Sequence, residues 1–180
     1  MVQAVGQKSL AGSIAAVWAV VGFSLILLDA IIRLAGIAAQ SFDETLSFMH
    51  WAVLLLVVVT MAYAEGYRGF QKSFSPRTAA RAYYVYRHPE PLAVLLAPLF
   101  AMGFFRATRG PLMFAWIGTA LIVLLIIALQ ATPQPWRGII DVGVVVGLSW
   151  GLVSFLVCVF RVFRDGANGV SAEVPSGRAP

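Results

Sequence analysis

Of the 180 residues, 60% are hydrophobic and only 12% are charged, about half the charged share of a soluble domain. A water-facing globular surface is excluded by that composition. The net charge of +5 sits on basic residues between apolar runs, a distribution that orients a chain in a bilayer rather than on nucleic acid.

The expected fold class is an all-α integral membrane protein with four transmembrane helices plus a short re-entrant or fifth membrane helix, since each crossing takes about 20 apolar residues. The first span is read at 14–39. Lys8 before the apolar stretch from Ile14 to Leu28 has the outline of a signal peptide, but no Ala-x-Ala site follows and the helical pattern continues past Asp29 and Arg33, which fits an anchor better. Ser41 and Glu44 match a capping box ahead of a second span at 46–64.

A basic, aromatic stretch follows at 65–90, with Arg68, Lys72, Arg77, Arg81 and Arg87 interleaved with five tyrosines and phenylalanines and Tyr86. Gly66 and Gly69 suit a bend where the chain leaves the membrane. Ser75 followed by Pro76 reads as a helix start and Pro89 as its stop. Ala79, Ala82, Tyr83 and Tyr86 then share one face, with Arg77 and Arg81 on another, as in an amphipathic helix at headgroup depth. The segment 91–105 rises only ~22 Å and contains Pro98, so it reads as a re-entrant or interfacial helix, with a fifth crossing by local thinning of the bilayer as the alternative. Spans at 111–129 and 138–160 are the plainest, the first being free of charge throughout.

Charge placement supports this threading. Four crossings put eleven Lys and Arg residues, Lys8 and Arg178 among them, on the cytoplasmic side and leave only Arg33 and Arg137 outside; five crossings give seven against six. The strong bias of the four-crossing arrangement is the one that orients membrane proteins. Residues 1–164 are therefore expected to form one transmembrane domain in a bacterial cytoplasmic (inner) membrane, with both termini cytoplasmic and a disordered tail at 165–180.

Three groups of residues carry the functional expectations. Gly143, Gly147 and Gly151 lie one turn apart and form a face for close helix packing, within the chain or in a homo-oligomer. Arg68, Lys72, Arg77, Arg81 and Arg87 form a candidate site for anionic lipid headgroups or a membrane protein partner, each basic side chain contributing about 1 kcal/mol at an anionic leaflet. Asp29, Arg33, His50 and Asp141 are ionisable groups within or near apolar spans and form a candidate polar path.

No cofactor is expected, and no metal. Cys158 is the sole cysteine, and His50 and His88 fall on opposite sides of the membrane in the four-crossing arrangement. No set of catalytic residues is assigned. The reading is a non-enzymatic accessory or scaffold subunit; a small transporter or channel subunit using the Asp/Arg/His cluster is the alternative, and a lipid headgroup-modifying enzyme using Glu65, Arg68, His88 and Glu90 a third.

Overall fold

The computed structural model describes residues 10–166 and 170–175; Lys8 and Arg178, both counted above as cytoplasmic charges, lie outside them. Among the described residues there are helices and connections but no strand. Helix α1 is Leu10–Gln40, followed by a 3-10 turn at Ser41–Asp43. Helix α2 is Phe48–Met61, a π-helical stretch runs over Ala62–Phe74, and α3 is Ser75–Arg87. Two short helices, α4 (Pro91–Leu95) and α5 (Ala97–Met102), precede the long α6 (Arg109–Gln130) and α7 (Trp136–Asp165). Among the described residues, four helical stretches are long and apolar enough to cross a membrane: Leu10–Asp43, Phe48–Arg87, Arg109–Gln130 and Trp136–Asp165.

Two local expectations are corrected here. The capping box before α2 is made by Ser47 and His50, whose side chains each accept the other residue's backbone N–H at 3.4 and 3.1 Å. Ser41 instead lies buried in the 3-10 turn and donates to the Ala38 carbonyl at 2.7 Å, because the backbone at Glu44 is extended and α2 begins only at Phe48.

The expected break near Gly66 is also absent: α3 begins at Ser75, but as a continuation of the π-helical stretch and not as a capped start. Ser75 has helical dihedrals, and its N–H reaches back five residues to the Phe70 carbonyl. In an α-helix the Pro76 ring would collide with the carbonyl four residues earlier; the wider π turn ahead of it separates the two and lets the helix run on. Gly66 serves close approach rather than bending, since a Cβ there would lie 2.9 Å from Trp150 Cβ.

Short helices α4 and α5 meet at Leu96, two residues before Pro98. At about 1.5 Å per residue neither spans a ~30 Å hydrocarbon layer. Helix α5 ends on Gly103 at φ +90°, with Gly103 N–H bonded to the Phe100 carbonyl and Phe104 N–H to the Leu99 carbonyl. That paired closure needs a left-handed residue, which glycine adopts without steric penalty.

The chain divides into two compact units. The first takes Met1–Ser24, Pro76–Trp116 and Val157–Pro180. Its core is built on small side chains: Ala15 and Ala19 of α1, Ala82 and Val85 of α3, and Ala93, Ala97, Phe100 and Ala101 of α4 and α5. Small residues let helix backbones approach closely, which is how helices gain dispersion contacts in an apolar medium. A Cβ on Gly22 would overlap the Pro98 ring, and Trp18 Nε1 donates to the Leu95 carbonyl at 3.1 Å.

The second unit takes Leu25–Ser75 and Ile117–Leu156. Gln134 joins two helix ends in it, its amide donating to the Ile37 carbonyl at 3.3 Å and accepting from Gly138 N–H at 3.0 Å. Both groups belong to helix termini that lack intrahelical partners. Apolar side chains stand outward along much of this unit: α2 has no buried residue, and every residue from Leu121 to Ile127 is exposed.

Candidate functional site

In the first unit the basic segment separates into two populations. Arg81 is 3% exposed and its guanidinium is spent on the chain's own backbone. Nε donates to the Phe100 carbonyl at 2.6 Å, Nη1 to Ala172 at 2.9 Å, and Nη2 to Phe105 and Arg106 at 2.9 and 3.2 Å. The charged plane also lies 4.2 Å from the Phe100 ring centroid. Five donors in a fixed fork suit arginine, and not lysine, to several carbonyls at once.

Three of the four carbonyls that Arg81 gathers come from irregular backbone, and the fourth, Phe100, from the last turn of α5. Arg106 and Glu173 both have positive φ, 49° and 50°, a conformation costly for residues with a Cβ. Within the stretch expected as a loose tail, residues 170–175 therefore make specific contacts: Ala172 accepts from Arg81, and Glu173 accepts from Thr108 N–H at 2.9 Å and lies 3.9 Å from Arg77. Arg77 also lies over the Phe114 ring.

Arg81 is thus removed from the expected headgroup set, and Arg77 is tied into the fold. Arg87 is exposed and, among the described residues, pairs with no carboxylate, as do Arg109 and Arg161 of this unit. An apolar cavity of about 390 Å³ in the same unit is lined by Ala16, Val17, Val20, Tyr86, Val159 and Phe163, among others.

In the second unit the three glycines of α7 face the continuous helix that begins at α2. Cβ atoms at Gly143, Gly147 and Gly151 would lie 2.5 Å from Val57 Cγ1, 2.5 Å from a Glu65 carboxylate oxygen and 2.6 Å from Phe70 Cγ. Close by, Trp150 Nε1 donates to Gln71 Oε1 at 2.7 Å. Arg68 and Lys72 stand exposed on the π-helical stretch, Lys72 lying 5.3 Å from the Tyr67 ring centroid.

The four members of the candidate polar path have separate settings. Asp29 and Arg33 pair at 2.7 Å on the outer surface of α1, their side chains 63% and 74% exposed. His50 is used in the α2 cap and meets Trp136 edge-on at 4.6 Å between centroids. Asp141 is buried, with Arg137 Nε 3.6 Å away, and neither of those two atoms completes a hydrogen bond. Within one chain these residues therefore stand as an exposed pair, a capping imidazole and a buried pair.

Three residues of the headgroup-modifying reading have separate settings, and Arg68 is the exposed fourth. Glu65 packs on Gly147, Glu90 pairs with Arg106, and His88 stacks on Tyr84. Arg81 is the residue whose role its sequence context misstates, and nothing in that context distinguishes it from its exposed neighbours. Among the described residues no cluster of three or more His, Cys, Asp and Glu side chains is arranged to hold a metal ion.

The fold defines an all-helical protein with four helices able to cross a bilayer by length and composition. No protein-family model, curated protein or solved structure matches the chain.

Proposed function

We propose that this is a multi-pass protein of a bacterial inner membrane, with four crossings, its ends cytoplasmic and α4–α5 re-entrant, serving as an accessory or scaffold component that engages anionic lipid or a membrane partner. The observation that carries the reading is that three cations of the basic segment, Arg68, Lys72 and Arg87, are exposed and without carboxylate partners among the described residues.

Helix arithmetic supports the same scheme. The uncharged runs 48–64, 110–129 and 142–160 each rise about 25–30 Å, the thickness of a hydrocarbon layer. In the proposed threading, Arg68, Arg109 and Arg161 flank the cytoplasmic ends of their runs, where an anionic leaflet attracts them.

The experiment reconstitutes the protein with phosphatidylglycerol and phosphatidylcholine and reads the lipid it retains by native mass spectrometry. At about 1 kcal/mol per basic residue, Arg68→Gln, Lys72→Gln and Arg87→Gln together lower the preference for phosphatidylglycerol by about tenfold or more. Unchanged preference in a folded triple variant contradicts the reading.

A further inference from the structure

The Asp29–Arg33 pair stands where an apolar medium least tolerates it. In the second unit α1 and α7 are registered at their ends: Gln134 holds the Ile37 carbonyl, and Gly138 abuts Ser41. Counting back from Ser41 at ~1.5 Å per residue puts Arg33 ~12 Å and Asp29 ~18 Å down the helix. Counting forward from Gly138 puts Asp141 only ~4.5 Å down, with 142–160 uncharged beyond it. Asp29 and Arg33 thus stand about 8–14 Å deeper than Asp141, the charge that precedes the uncharged run of α7.

Both side chains nevertheless face outward, 63% and 74% exposed, flanked by exposed Leu25, Ile26 and Ile32. One internal ion pair does not make such a site tolerable in lipid, because charges there are costly unless further partners satisfy them. One helical turn beyond Arg33 on the same face is Gly36, where an added Cβ would meet nothing within 4 Å. Ala35 and Ala39 beside it are exposed as well. The backbone next to the charged pair is therefore open to a second helix.

We infer that this face of α1 is a dimer interface that receives the same face of a second copy of the chain. The inference rests on the membrane reading above. A patch with one sign of charge would call for a partner of the other sign; this patch carries one carboxylate and one guanidinium a turn apart, and its complement is itself. Copies inserted in one orientation are related by a two-fold axis along the membrane normal, which sets the α1 helices parallel at equal depth. Each Asp29 then has its own Arg33 one turn along its helix and the partner copy's Arg33 diagonally across the axis, and the four charges sum to zero. The glycine face of α7, the other candidate for assembly, already packs against Val57, Glu65 and Phe70 of its own chain.

The test is disulfide crosslinking of full-length protein in native membranes, through Gly36→Cys in a Cys158→Ser background. The parent crosslinks to a dimer. Asp29→Arg alone, or Arg33→Asp alone, sets like charges against each other and lowers the crosslinked fraction by about tenfold or more. The exchange Asp29→Arg with Arg33→Asp in one chain restores it, and so does coexpression of the two single variants. Rescue in the mixture separates a contact across copies from damage to the fold.

A parent that stays monomeric, a single variant that crosslinks like the parent, a mixture that is not rescued, or a crosslink formed only to a different protein each overturns the interface. Alkaline carbonate extraction of the same membranes reports separately on the reading beneath it. Release of the chain removes the membrane assignment, whereas retention without crosslinking removes the dimer alone.

Discussion

Arg81→Met is expected to unfold the first unit, with a loss of about 3–5 kcal/mol, the scale for stranding the partners of a buried charge. The aliphatic replacement fills much of the volume but takes the guanidinium donors from the carbonyls of Phe105, Arg106 and Ala172, and leaves Phe100 with Gly103 N–H alone. Each buried acceptor left unpaired costs about 1–3 kcal/mol. Arg81→Lys recovers only part of the loss, since one ammonium cannot reproduce a planar fork to four oxygens. Thermal unfolding in mild detergent, with limited proteolysis across 103–108 and 170–175, measures the effect. A variant with wild-type melting and protection contradicts the role given to Arg81.

Gly143→Leu is expected to be the most damaging change on the α7 face. A Cβ alone would stand 2.5 Å from Val57 Cγ1, 3.1 Å from Met61 Cγ and 3.3 Å from the Val57 carbonyl oxygen. The backbone contact cannot be relieved by a rotamer change, so the helices must separate. Overpacking of this kind costs about 1–3 kcal/mol, and leucine lies at the upper end or beyond it. Gly118→Leu on α6 is the control: nothing lies within 4 Å of its Cβ position, and its melting temperature stays that of the parent. Equal losses in the two variants would remove close packing as the function of the α7 glycines.

The four long apolar helices were legible in the sequence because an uncharged run of about 20 residues has few other uses. Their limits were less so. Polarity marks where a chain meets water, but a helix ends only where its backbone bonds change partners. The stretch Phe48–Arg87 shows the difference: Glu65, Arg68 and Lys72 look like the start of a loop, while the π-helical turns carry the hydrogen bonding through Ser75 to Pro76.

Arg81 was misread for a related reason. A snorkelling arginine and a buried one have the same local sequence, and the oxygens that distinguish them lie 19 to 91 residues further along the chain. Four-residue spacing marked Gly143, Gly147 and Gly151 as one face, yet spacing carries no address for its partner. Exposure could not be read from the sequence either. Asp29 and Arg33 can pair on any helix, and only the packed structure turns them outward while Asp141 is buried.

Single-cysteine labelling in a Cys158→Ser background tests the threading itself, using Arg109→Cys at the start of α6 and Thr45→Cys between α1 and α2 with a membrane-impermeant thiol reagent. In right-side-out vesicles Thr45→Cys should react and Arg109→Cys should not, and inverted vesicles should reverse the two. Reaction of Arg109→Cys from the outer face, or of both positions from one face, contradicts the four-crossing arrangement.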